Sequence, residues 1–174
     1  SCFPSLNMIN FILGLLNSKL LPMFIEILNP SVTTQVGDLK KIPILNSRHK
    51  SEIIDLLVSK CIDISKYDWD AFETSWDFKN HPLITHKENS TSIEQAFYNW
   101  ASYAENQFNQ LKANEEELNR IFIEIYGLQG ELTPDVDDKD VTITRIYDSK
   151  EDIPESMKGN NYVLTREDVI KSFI

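Results

Sequence analysis

The sequence predicts a mainly α chain: a helical bundle with one long helix or helical hairpin at about 92–128 and a small β component at about 32–44 and 141–164. Three observations predict it. Alternate steps of three and four from Phe97 reach Trp100, Ala104, Gln107, Leu111, Asn114, Leu118, Ile121, Ile125 and Leu128, with only Gln107 and Asn114 breaking the apolar stripe. Shorter amphipathic patterns precede it, and the β-prone runs are brief and bounded by turn residues. At roughly 1.5 Å per residue the long element reaches about 55 Å, wider than a small domain, so it reads as a strut.

In chain order, Ser5 is positioned to cap a helix carrying Met8, Ile9, Ile12, Leu13, Leu15 and Leu16. Asn17-Ser18 breaks it and caps a second helix, Leu20 to Leu28, in which Pro22 falls near the first turn, where proline is tolerated. Residues 6–28 are the most apolar stretch. Asn7, Asn10, Asn17, Lys19, Pro22 and Glu26 interrupt them, so they read as buried helix rather than a membrane span. Val32 to Val36 is β-prone, Gly37-Asp38 a turn or cap, and Pro43 confines Ile42-Pro43-Ile44 to a sheet edge.

From Ser47 a second helical pattern runs through Ile53, Ile54, Leu57, Val58 and Cys61, opposite Lys50, Glu52, Asp55 and Lys60. Residues 65–78 alternate Tyr67, Trp69, Phe72, Trp76 and Phe78 with Asp68, Asp70, Glu73 and Asp77. Most of these rings are expected to be buried, capping the neighbouring helix. His81-Pro82 to Ser90 lacks periodicity and reads as a linker. Thr91 or Ser92 caps the long helix, and the stretch Gly127 to Pro134 closes it. A strand from Val141 to Tyr147 follows, then an extended piece at Tyr162 to Leu164. Thr165 caps a final helix with Arg166, Glu167 and Asp168 in its first turn. That helix stops within about two turns, and no Met opens the chain, so both ends read as cut from a longer protein.

Of 174 residues, 27 are acidic and 17 basic, a net charge of −10 that opposes a general nucleic-acid surface. The balance is uneven: residues 1–46 are at +1 and residues 91–134 at −5, so any DNA contact is expected near the start. Lys40, Lys41, Arg48 and Lys50, beside Gln35, form the one local basic concentration and are the candidate DNA-backbone contacts. Cys2 and Cys61 are too few and too distant for a disulfide framework, which suggests a reducing cytoplasm.

No catalytic, cofactor-binding or metal-ligating residue emerges. The five glycines never form GxG and the seven prolines are never adjacent, so a Gly-rich cofactor loop, a P-loop and a Pro-Pro base-flipping motif are all absent. Asp135, Asp137 and Lys139 superficially match the acids and lysine of a metal-dependent nuclease, but they lie too close together to come from different strands and read as a solvated turn. As a calcium loop the same stretch lacks its glycine and its last acid. His49, His81 and His86 make no recognised zinc spacing with the two cysteines. The aromatic and acidic cluster offers rings to stack bases, but its acids repel phosphate.

The segment Leu13-Gly14-Leu15-Leu16-Asn17-Ser18-Lys19, with Leu28-Asn29-Pro30, Gln35-Val36-Gly37-Asp38-Leu39 and Ile42-Pro43-Ile44, resembles the closing part of the specificity region of restriction and modification enzymes. The block from Asp68 to Phe78, the block from Phe108 to Phe122, Tyr126-Gly127-Leu128 and Glu131-Leu132-Thr133-Pro134 resemble adenine-specific DNA methyltransferases of the BREX phage-defence type, the PglX family. The resemblance implies a parent enzyme that transfers a methyl group from S-adenosylmethionine to N6 of adenine in double-stranded DNA. The family's cofactor loop and Asn-Pro-Pro-Tyr-type motif have no matching positions here, so this piece is expected to be inactive alone and to hold no cofactor. The chain then divides into the end of the recognition region (1–46), a helical and aromatic-rich connector (47–90), a long helical spacer (91–134), and an acidic turn with short strands and the truncated helix (135–174). Expected partners are DNA through the parent, the rest of the parent chain and other defence-system proteins. The rival expectation is a protein-interaction or coiled-coil oligomerisation module.

Overall fold

A computed structural model describes residues 8–29, 31, 33, 35–45, 48–87 and 92–174, which form seven α-helices and one two-stranded sheet. The mainly α expectation therefore holds. The chain divides into two compact units, each assembled from two stretches: 1–61 with 114–135, and 62–113 with 136–174.

In the first unit, α1 (Ile9–Leu16) and α2 (Leu20–Leu28) are bent by 72° where Asn17-Ser18-Lys19 breaks the helical pattern. Asn17 Nδ2 donates to the Leu13 carbonyl at 2.8 Å. Ser18 Oγ donates to that of Leu15 and accepts from Leu20 N–H, so the side chains take over the hydrogen bonds of the broken helix. The expected Ser5 cap lies outside the described residues. Phe11, Leu15, Leu20, Ile54, Val58, Ile121 and Phe122 form the unit's core, where Phe11 and Phe122 meet edge to face with ring centroids 5.3 Å apart. Gly14 lets α1 approach closely: a Cβ there would stand 2.9 Å from Val58 Cγ2 and 3.2 Å from Phe122 Cε2. Among the described residues, no single helix is long and apolar enough to cross a membrane.

The strand expected at 32–44 does not form among the described residues 35–45. A single helical turn, α3 (Val36–Leu39), stands there. Asp38 decides this locally: its Oδ2 accepts from Gln35 N–H at 3.1 Å and from Asn29 Nδ2 at 2.7 Å. A carboxylate that closes the first turn of a helix outweighs the weak strand preference of neighbouring valines and threonines. Val32 and Thr34 lie outside the described residues.

Helix α4 (Ser51–Asp70) follows a 3-10 turn at Arg48–Lys50 and runs more than two turns beyond Cys61. Its buried face is Ile54, Leu57, Val58 and Ile64, whereas Ile53, expected inside, is 44% exposed. Helix α6 (Ile93–Tyr126) is one unbroken element of 34 residues, not a hairpin. Phe97, Trp100, Ala104, Leu111, Leu118 and Ile121 are all buried, as the stripe requires. Asn114, which interrupts the stripe, is also buried and hydrogen bonds to Cys61. Burial first, and the Glu115 carboxylate second, push the Cys61 thiol up to about 11, so it stays protonated and unreactive at neutral pH. Gly127 ends the helix with φ +70°, and Leu128 N–H reaches back to the Ile123 carbonyl at 2.9 Å, a Schellman closure that needs the left-handed glycine.

In the second unit, α5 (Pro82–Thr85) occupies what the sequence suggested was linker. His81 caps it through Nδ1, which accepts from Leu83 N–H at 3.2 Å, and Pro82 presets the first turn. One turn is too short to show a period, which is why the pattern missed it. Residues 88–91, including Thr91, lie outside the described residues. The strand expected at 141–147 shrinks to β1 (Arg145–Tyr147), paired in parallel with β2 (Val163–Thr165). Its start is cut back because Asp68 Oδ1 takes the Thr144 N–H at 3.1 Å, removing that donor from the ladder. Thr165 ends β2 and caps α7 (Arg166–Phe173) as expected, its Oγ1 and backbone N–H both bonded to Asp168 Oδ2.

Candidate functional site

The candidate DNA contacts all belong to the first unit. Gln35 opens α3, and Lys40 stands exposed directly after it. Lys41 Nζ lies 3.5 Å from the Oδ1 of the buried Asp38, a long contact from a lysine side chain that is 60% exposed, which leaves its ammonium largely available. Lys50 is differently placed, its ammonium joined to the Glu124 carboxylate of α6. Arg48 belongs to the 3-10 turn before α4, and its side chain lies outside the described residues. Pro43 and Leu45 are fixed nearby through Tyr126, whose hydroxyl donates to the Pro43 carbonyl at 2.5 Å and accepts from Leu45 N–H at 3.2 Å.

The second unit holds the densest polar constellation, centred on Arg145. Its guanidinium bonds both oxygens of Glu105 at 3.0 Å and Asp138 Oδ2 at 2.6 Å, while Cζ lies 4.4 Å from the centre of the Phe108 ring. Lys112 supplies a second cation to Asp138 at 2.7 Å. Lys112 foremost, with Arg145, holds the Asp138 carboxyl below its ordinary value despite partial burial. Arg166 repeats the arrangement, bonding Asp148 at 2.7 Å and the Tyr98 hydroxyl, with Cζ 5.0 Å from the Phe97 and Tyr98 ring centres. These bonds join residues seven to 68 apart. No local spacing in the sequence announces them.

The acids and lysine that superficially matched a nuclease do not converge. Asp138 is taken by Lys112 and Arg145, Asp137 sits 3.7 Å from Lys139, and Asp135 is exposed. Among the described residues, no group of three His, Cys, Asp or Glu side chains is arranged to hold a metal ion. His81 lies between the rings of Trp100 and Phe173 at 5.8 and 5.1 Å, with Nε2 3.1 Å from Ser172 Oγ, and burial pushes its pKa down. His86 packs on Tyr103.

Asp68 lines a cleft with room for about one water, beside Tyr67, Trp100, Tyr103, Gln107 and Thr144. Burial raises its carboxyl above the ordinary value, and the hydrogen bonds from Thr144 only partly offset this. A folded-state value above the unfolded one means the native chain holds that proton more tightly. Stability therefore falls as pH rises from the ordinary carboxylate value through the raised one, and the ionised form costs stability at neutral pH. Asp68→Asn keeps an acceptor for Thr144 N–H and removes the buried charge. Thermal melts are expected to show an unchanged or higher Tm at neutral pH and a flatter stability profile just above the carboxylate range.

The expectation that most rings of residues 65–78 are buried fails. Trp76 is 104% exposed, Trp69 60% and Tyr67 42%. The turn after α4 is closed by Lys66, Asp70, Ser75 and Asp77, so polar groups rather than the rings hold it.

No protein-family model matches the chain. Among curated proteins, the adenine-specific methyltransferase PglX of Lacticaseibacillus casei (strain Zhang) is 45% identical over 139 residues, 78% of this chain. The adenine-specific methyltransferase BrxX of Escherichia coli O9:H4 (strain HS) is 31% identical over 136 residues, again 78% of the chain. The chain spans 11% of the length of each of these relatives. It belongs, as a stretch corresponding to that small part of the full-length proteins, to the family of the PglX and BrxX adenine-specific methyltransferases.

Proposed function

We propose that the chain is a noncatalytic part of a site-specific DNA methyltransferase of restriction-modification or phage defence. The whole enzyme would transfer a methyl group from S-adenosylmethionine to adenine N6. The observation that carries this reading is the likeness to two adenine-specific methyltransferases over 78% of the chain. Residues 1–46 would close the target-recognition region, and α6, about 51 Å long at roughly 1.5 Å per residue, would act as support and spacer. Lys40 and Lys41, beside Gln35, are best placed to reach DNA phosphates. Arg48 and Lys50 complete the proposed contacts, with Lys50 having to leave Glu124 to serve.

In this reading S-adenosylmethionine is held elsewhere in the whole enzyme. Supporting it, the five glycines form no GxG cradle: Gly14 faces Val58 and Phe122, Gly127 terminates α6, and Gly37, Gly130 and Gly159 are scattered along the chain. Calorimetric titration of the isolated chain with S-adenosylmethionine is expected to give no binding heat, and micromolar binding would refute the noncatalytic assignment. Self-association through the heptad stripe is opposed by its burial within a single chain. Light scattering is expected to show a monomer.

A further inference from the structure

Twice in the second unit an arginine lies over an aromatic ring while bonding a carboxylate: Arg145 on Phe108 with Glu105 and Asp138, and Arg166 on Phe97 with Asp148. At the end of α4 the same components recur without the arginine. Trp76 is wholly in water, and Trp69 and Tyr67 are largely exposed. Beside Trp76 in sequence, Asp77 has a side chain 68% exposed, and among the described residues its Oδ2 alone is engaged, by Lys66 at 2.7 Å.

This is a fixed display, not a frayed end. Lys66 Nζ bridges Asp70 and Asp77 at 2.6 and 2.7 Å. The buried Ser75 donates to Asp70 at 2.6 Å and accepts from Asp77 N–H at 3.1 Å, so both neighbours of Trp76 are anchored. With the backbone on both sides of Trp76 anchored, binding has to order only the two side-chain torsions of the ring, which favours it as an anchor. Asp77 also lines an open hollow of about 340 Å³, together with residues that include Tyr67, Asp70, Ala71, Lys79 and Pro82. The local cations are Lys66, shared between two carboxylates, and Lys79. Across the unit 17 acidic side chains face ten basic ones, so the surrounding field attracts cations.

We propose that Trp76, Trp69 and Asp77 form a docking point for a partner protein through a segment bearing arginine next to an apolar side chain. The guanidinium lies on the indole and bonds Asp77 Oδ1, and the apolar neighbour enters the hollow. This does not depend on the methyltransferase reading.

The test is a calorimetric titration of the full 174-residue chain with a short amidated peptide of alternating arginine and leucine, and with its counterpart carrying glutamate for each arginine. The arginine peptide is expected to bind and the glutamate peptide not. Trp76→Ala, which touches no core, is expected to weaken binding about tenfold, and Asp77→Asn about threefold. Absence of binding by the arginine peptide, equal binding by the glutamate peptide, or undiminished binding to Trp76→Ala would overturn the proposal.

Discussion

Phe122→Ala is expected to destabilise the first unit by about 3–5 kcal/mol, a large fraction of the net stability of a small domain. Phe122 is 0% exposed and stands between two elements of that unit. Its edge meets the Phe11 ring of α1, and its Cε2 fills the space that Gly14 leaves by lacking a side chain. Truncation would open a cavity that the unit cannot easily collapse, because Gly14, which faces the Phe122 ring, has no side chain to move into it. Denaturant unfolding followed by circular dichroism would measure the loss. A change below about 1 kcal/mol would mean that this core is not packed as described.

Arg145→Gln is expected to cost the second unit about 2 kcal/mol, well above an ordinary surface ion pair. The Arg145 side chain is 17% exposed, and removing its charge leaves Glu105 and Asp138 facing each other's neighbourhood with only Lys112 to compensate. The figure stays below that of a fully buried pair because Glu105 and Asp138 are 42% and 38% exposed and water screens them. The pH dependence gives a second readout. Asp138 has a folded-state value held below its ordinary one, so its contribution is present above the ordinary carboxylate value and lost as pH falls through the folded one. The gap between wild type and Arg145→Gln should therefore be widest near neutral pH and close in acid. A gap that grows in acid would exclude this network as the source.

What the sequence made legible follows from how far each signal reaches along the chain. The α6 stripe was readable because nine positions within it repeat one period, and the Thr165 cap because Thr and Asp sit three apart. The break at Asn17-Ser18 was readable for the same local reason. The strand expected near Val36 failed because Asp38 closes a helical turn there, an effect as short-ranged as the strand preference it overrides. The start of β1 was misjudged because the donor of Thr144 is taken by Asp68, 76 residues away. Arg145 and Arg166 were not singled out, since their partners are brought together only by the fold. The outward face of Trp76 inverts the usual rule that large rings are covered, and a surface left open in this way is where binding is to be sought.

That α6 is one continuous rod with a covered apolar edge is tested most directly by amide hydrogen exchange, read residue by residue along Ile93–Tyr126. Slow exchange is expected without interruption from about Phe97 to the Gly127 closure, including at the polar positions Gln107 and Asn114. Rapid exchange over a turn or more around Asn114, splitting the helix into two separately opening pieces, would contradict it.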